Sequence, residues 1–162
     1  MAHREAVFAR LGELEIPYEV TEHPAVFTIE EMDKLGVTLN GDVCKNLFLR
    51  DAKGRRHFLV VLQKDKHADL KSIEAQLGCS RLSFASAQRL ESHLGLHQGE
   101  VTPLGIVNDT AAAVEVVFDR DLVGKTSLGV HPNENTATVW ISFEHVKRLV
   151  EHNGNIIHYV NI

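Results

Sequence analysis

Cysteine is scarce in this chain, with only Cys44 and Cys79 among 162 residues, and tryptophan (1), methionine (2) and proline (4) are also few. Two cysteines in a chain with enough apolar residues for a core are expected as free thiols rather than as a disulfide framework. Long apolar runs are missing too. The longest, such as 58–62 and, apart from Glu115, 114–118, are strand length and far short of the ~20 residues that cross a bilayer, so no membrane partner is expected. The opening Met1-Ala2-His3-Arg4-Glu5 lacks an apolar stretch followed by a small-residue cleavage site, which makes the cytoplasm the expected compartment. There is no Gly-x-Ser-x-Gly elbow, no Gly-x-x-x-x-Gly-Lys phosphate loop and no Cys-x-x-Cys, which disfavours the familiar nucleophile, nucleotide and redox classes. His93 and His97 are four apart, but Gly95 lies between them and no third ligand is spaced to complete a set, so no metal is expected.

What is present is a hydrophobic fraction of 44%, enough to bury a core, in a length typical of one domain; a single domain over residues 1–162 is expected. The net charge of -5 argues against nonspecific coating of nucleic acid, yet the charge is unevenly distributed. Residues 1–44 carry 3 basic and 9 acidic side chains, residues 45–81 carry 9 and 4, and residues 82–162 carry 5 and 9. A confined basic segment on an acidic chain suits a local polyanion contact as well as an ordinary solvated hairpin.

Apolar spacing predicts helices over 4–15, 68–77 and 86–94, a helix capped by Thr28 and stopped at Gly36, and a last helix after Ser142. Strands are predicted at 18–22, 46–50, 57–63, 82–84, 114–118, 137–141 and 156–160, with a hairpin turn at Asp51-Ala52-Lys53-Gly54. Residues 95–105 and 129–136 read as shaped loops. Hairpins interleaved with helices imply an α/β (α+β) domain with a mixed, curled or barrel-like sheet surrounded by helices. Lys45, at the expected root of the 46–50 strand, offers a compact charge suited to a phosphate or a polarised carbonyl oxygen. Its neighbour Cys44 points to the opposite sheet face and reads as a core thiol. His131, Pro132, Asn133 and Asn135, in a loop opened by glycine, can hold a water or a ribose hydroxyl, or can form a plain polar turn.

Three stretches taken together, Cys44-Lys45-Asn46-Leu47-Phe48-Leu49, Gly99-Glu100-Val101-Thr102-Pro103-Leu104-Gly105 and Gly129-Val130-His131-Pro132-Asn133-Glu134-Asn135-Thr136-Ala137-Thr138, resemble the successive motifs of the YbaK family of aminoacyl-tRNA editing domains. That family is related to the insertion domain of bacterial prolyl-tRNA synthetase. Leu14-Glu15-Ile16-Pro17-Tyr18 and His23-Pro24-Ala25-Val26-Phe27-Thr28 extend the resemblance over nearly the whole chain. The His-Pro-Asn-x-Asn-Thr form is similar to the free-standing ProXp-ala (PrdX-like) type. The resemblance implies a YbaK-like fold and an ester hydrolase that removes a mischarged amino acid, alanine first, from proline tRNA. It implies the tRNA acceptor end as partner, prolyl-tRNA synthetase as a further one, and no cofactor. Alternatives are a cysteine-specific deacylase of the same family and a non-catalytic tRNA-binding or amino-acid-sensing module.

By the same resemblance Lys45 holds the terminal phosphate or ribose, Asn46 orients that group, and the backbone at Gly129 approaches the aminoacyl group with His131 shaping the pocket. Gly129 and Pro132 enclose two residues where the family loop has three. Met32, Leu35 and Val43 are the expected apolar walls, with Thr102, Pro103, Val130, Pro132 and Asn133 as further substrate-binding positions. Lys53, Arg55, Arg56 and Arg81 are expected on the acceptor stem.

Overall fold

The computed structural model describes residues 4–36 and 41–162; residues 1–3 and 37–40 of the expected domain lie outside them. Helix α1 (Arg4–Glu13) buries Val7 and Leu11 on one face, and Glu15 leaves it at φ 56° ahead of Pro17. The chain then extends through β1 (Glu19–Glu22) to α2 (Ile29–Lys34). Thr28 caps α2 by accepting from the Glu31 amide at 3.1 Å, and the Glu31 carboxylate accepts from the Phe27 amide. That reciprocal pair fastens the entry of the helix.

A hairpin follows, β2 (Asp42–Arg50) and β3 (His57–Gln63), then α3 (Leu70–Leu77) capped by Asp69. The two-residue β4 (Ser83–Phe84) leads into α4 (Ala87–Leu94), capped by Ser86 and ended by left-handed Gly95. A short 3-10 helix (Pro103–Asn108) starts under the Thr102 hydroxyl, where the fixed φ of Pro103 suits a helical start. Strands β5 (Val114–Asp119), β6 (Leu128–Val130) and β7 (Ala137–Ile141), helix α5 (Phe143–Asn153) and β8 (Ile157–Val160) complete the order.

The strands form one mixed eight-stranded sheet in the order β1-β7-β6-β2-β3-β5-β8, with β4 also paired to β2. The hairpin register runs from Cys44 opposite Gln63 to Arg50 opposite His57, and β3, β5 and β8 are mutually parallel. One sheet face packs Leu59, Val61, Val116 and Phe118 against α1, α4 and α5, and the other packs Phe58, Val60 and Leu62 against α3.

The outer edge of β2 is shared between two partners. Asp42 and Val43 pair in parallel with β6, Leu49 and Arg50 pair antiparallel with β4, and the Ala85 amide donates to Phe48 O at 2.9 Å. Between these pairings, residues 44–47 have no strand on that side among the described residues. The interruption positions the site.

Two expectations need correction. The strand expected from Asn46 starts at Asp42, so Lys45 lies inside a strand and not at its root. Residues 129–136 do not form one continuous loop, because Leu128–Val130 is strand β6. A three-residue segment centred on glycine has little strand propensity of its own, and β6 forms because β2 and β7 pair with it on both sides.

Candidate active site

A cavity of about 400 Å³ opens at the gap in the β2 edge. Its floor is β2 from Cys44 to Phe48, one wall is Val26, Phe27 and α2, and the other is Phe84, Ala85 and the start of α4; Gln98, Gly99, Val101 and His131 close it. The size is that of a small-molecule site. A smaller cleft of about 10 Å³ shares Met32, Cys44 and His131 with it and adds Val43, Gly129, Val130 and Thr138.

Backbone directions alternate along a strand. Val43 O accepts from Lys64 and Phe48 O accepts from Ala85, so the odd residues of β2 turn their amides towards the hairpin and the even ones turn theirs outwards. Asn46 therefore directs its backbone N–H and C=O into the gap. Its side-chain Oδ1 is also buried and has no hydrogen-bond partner among the described residues. A buried acceptor left unpaired costs about 1–3 kcal/mol until a donor arrives. Lys45 lines the same cavity, half-buried, and makes no salt bridge among the described residues.

His131 follows β6 and is held at both ends. Its Nδ1 donates to Ala137 O at 3.1 Å, and its carbonyl accepts from the Thr102 hydroxyl at 2.6 Å. Because a carbonyl only accepts, Nδ1 carries the proton and Nε2 keeps its lone pair. Burial holds the His131 pKa below its ordinary value, so the ring is neutral. His23 sits edge-on to it, with ring centroids 6.4 Å apart, and meets the Thr138 hydroxyl at 3.0 Å.

Cys44 is 5% exposed, and burial pushes its thiol up to about 12. It is a wall of the cavity and stays protonated, which removes it as a nucleophile.

The structure brings together Lys45, Asn46, Met32 and His131 around the larger cavity and Val43, Gly129 and Val130 around the smaller cleft. Gly129 is placed differently from the loop-amide role expected for it. It pairs with Val43 in a parallel ladder, which directs its amide at β2, and a Cβ there would lie 2.7 Å from Trp140 Cζ3. Its lack of a side chain makes room for the tryptophan ring. Thr102, Pro103, Pro132 and Asn133 are buried behind the cavity, where Thr102 braces His131 and Asn133 adopts φ 63°. Leu35, the C-cap of α2, is 45% exposed and lines neither space, since it lies beyond the last helical turn.

Lys53, Arg55 and Arg81 are exposed around the hairpin turn and the entry to β4. Arg56 is committed elsewhere: it makes a bidentate pair with Glu115 at 2.8 and 2.9 Å and lies over the Phe58 ring, so it is not a free cation for a polyanion. Val26, Phe27, Ile29, Phe84 and Gln98 line the cavity without having been singled out in the sequence. They carry no reactive group, and only the tertiary gap gives them a role.

Comparison with known proteins gives the family. The aminoacyl-tRNA editing domain model matches residues 23–149. The prolyl-tRNA editing protein ProX of Acetoanaerobium sticklandii is 50% identical over 155 residues, covering 96% of this chain and 94% of the relative. The prolyl-tRNA synthetase associated domain-containing protein 1 of Danio rerio is 41% identical over 143 residues, 87% of this chain and 77% of the relative. Among solved structures, a candidate trans-editing enzyme for prolyl tRNA synthetase superposes with TM-score 0.74 at 20% identity, over 98% of this chain and 96% of that one, and shares the fold. With a family match over most of its length and a half-identical relative aligned almost end to end, the chain belongs to the aminoacyl-tRNA editing domain family.

Proposed function

We propose that the protein removes alanine from mischarged prolyl-tRNA by hydrolysing the ester to the terminal ribose. Editing of mischarged prolyl-tRNA by a deacylase follows from family membership and from the 50% identity to a prolyl-tRNA editing protein. The choice of alanine rests on one observation. The cleft of about 10 Å³ beside the main cavity, between Met32, Val43 and Val130, has room for about one water-sized group. A methyl group matches that space and a pyrrolidine ring does not.

In the reaction a water oxygen bonds to the ester carbonyl carbon, the bond from that carbon to the ribose oxygen breaks, and a proton passes to the ribose oxygen. Free amino acid and tRNA result. Such an ester is already activated, so positioning and fixed donors supply the rate without a covalent intermediate. Lys45 holds the terminal phosphate or ribose, and Asn46 Oδ1 accepts from a ribose hydroxyl. His131 Nε2 accepts from the water, and the Asn46 backbone N–H, turned into the gap, faces the developing oxyanion. Lys53, Arg55 and Arg81 meet the acceptor stem.

A panel of proline tRNAs charged with alanine, cysteine or proline tests the reading. Alanine release with proline spared is expected. Preferential cysteine release would move the assignment to the cysteine-specific type, and no release from any of the three would leave a binding module.

A further inference from the structure

We propose that Phe27 and Phe84 form a stacking site for the unpaired nucleotides at the 3′ end of the tRNA, one ring on each wall of the cavity. The inference rests on the editing function proposed above and adds to it a binding surface for bases. Most of the chain's phenylalanines behave as apolar residues ordinarily do: Phe48, Phe58, Phe118 and Phe143 are at most 5% exposed. Phe27 and Phe84 are 66% and 64% exposed, and both line the cavity that holds Lys45 and Asn46. Two large aromatic surfaces left in water at the mouth of one cavity, from elements on its opposite walls, call for an occupant with flat apolar faces.

Local geometry prepares each ring. Phe27 precedes the Thr28 cap, its amide is held by the Glu31 carboxylate, and its ring lies against the bare backbone at Gly99. A Cβ on Gly99 would sit 2.7 Å from Phe27 Cδ1, and that glycine also has φ +90°. A side chain there would displace the ring. Phe84 lies opposite Leu49 in the β2–β4 pairing, so its side chain shares a sheet face with Leu49 and, by alternation, with Leu47 and Lys45. Lys45 and Leu49 are four residue steps apart along the strand, a span of ~13 Å that a short single-stranded end crosses.

The chemistry selects the occupant. A nucleic-acid end bound by a cation at its phosphate presents unstacked bases nearby, and aromatic side chains take such bases on their faces whatever the sequence. The basic segment 45–81 contains Lys45 and ends just before Phe84, so a polyanion that reaches the lysine also reaches this ring.

The test measures binding of a deacylated single-stranded RNA ending in cytidine-cytidine-adenosine, alongside matched RNAs in which one of these three nucleotides is abasic, at fixed salt. Phe27→Ala and Phe84→Ala are expected to weaken binding of the intact RNA roughly tenfold each. Phe84→Leu should weaken it similarly, whereas Phe84→Trp keeps it. On the RNA that lacks the stacked base, wild type and variants should bind alike, and melting curves should be unchanged because both residues are exposed. Equal loss on intact and abasic RNAs, no loss on either, or no binding by the wild type overturns the stacking site. Deacylation of alanine-charged proline tRNA is measured in parallel. Its absence in the wild type removes the editing function, whereas normal release by a wild type whose RNA binding ignores both rings removes only the stacking site.

Discussion

Strand β3 buries every residue from His57 to Leu62 and has a partner on both edges, whereas its neighbour β2 leaves Lys45, Asn46 and Leu47 half-buried beside a gap. The two strands share a hairpin and a register, so the difference is not one of backbone quality. It comes from what lies on the far side of each. Beyond β3, β5 runs alongside for five paired residues. Beyond β2, β6 stops after Val43 and β4 begins only at Leu49. The closed side is built for stability, and the open one is where the proposed chemistry takes place. Polar groups that a continuous sheet would have used, such as the outward amide of Asn46, have no strand partner among the described residues.

The sharpest way to test that division is to replace one residue on each side. Lys45→Ala should reduce deacylation by about 100-fold or more while the melting temperature stays within a few degrees, because the ammonium makes no salt bridge among the described residues. Leu59→Ala, on the closed side and fully buried, should lower stability by about 2–5 kcal/mol in urea titration, with the folded fraction still active. If both variants lost activity and stability together, the division would fail.

Gly129→Ala tests the boundary between the two sides. Its new Cβ meets Trp140 at 2.7 Å and Val43 Cγ2 at 3.1 Å, so β6 must shift against β2. An overpacking loss of about 1–3 kcal/mol is expected by denaturant unfolding, with a rise in KM because Val43 and Met32 wall the small cleft.

A pH series reaches the closed side from another direction. Arg89 donates to His57 Nε2 at 3.0 Å, and the ring packs 4.0 Å from His93. Burial, helped by His93 and Arg89, lowers the His57 pKa from 6.5 to about 4. Between those values the unfolded chain takes up a proton that the folded chain refuses. The stability contributed by neutral His57 is therefore whole above about 6.5 and lost as the pH falls towards about 4. Thermal melts at pH 7 and pH 5 should differ by roughly 5 °C, and His57→Gln should shrink the difference.

The smallest effect is expected at Arg4. It ties the loop after His131 to the rest of the fold through Glu134, Thr136 and Glu22. Arg4→Ala should cost about 1 kcal/mol and slow deacylation a few-fold, measured as kcat/KM at low and high salt.

Strand β7 was legible residue for residue at 137–141, because Thr138-Val139-Trp140-Ile141 is rich in strand formers and Ser142 caps the following helix. The helices capped by Thr28, Ser86 and Ser142 were legible for the same reason: their caps and apolar stripes are local. Strand β6 was not, since Leu128–Val130 has no pattern apart from its two neighbours. Lys45 and His131 could be singled out because their chemistry shows in the residue type, and Asn46 through the resemblance of the stretch around it. Phe27 and Phe84 could not, as a phenylalanine's exposure is decided by what fails to cover it. The pairing of Arg56 with Glu115 was equally hidden, because the partners are 59 residues apart.

The interrupted edge has one more consequence. Because β2 is locked to β3 over seven pairs, the gap cannot widen by sliding, and its length is a count of residues between the last rung of β6 and the first rung of β4. Such a slot changes only in steps of ~3.3 Å, one residue at a time. Lengthening or trimming a neighbouring strand by one rung would therefore alter which substrates fit in a jump, leaving side-chain substitutions to make only the finer adjustments.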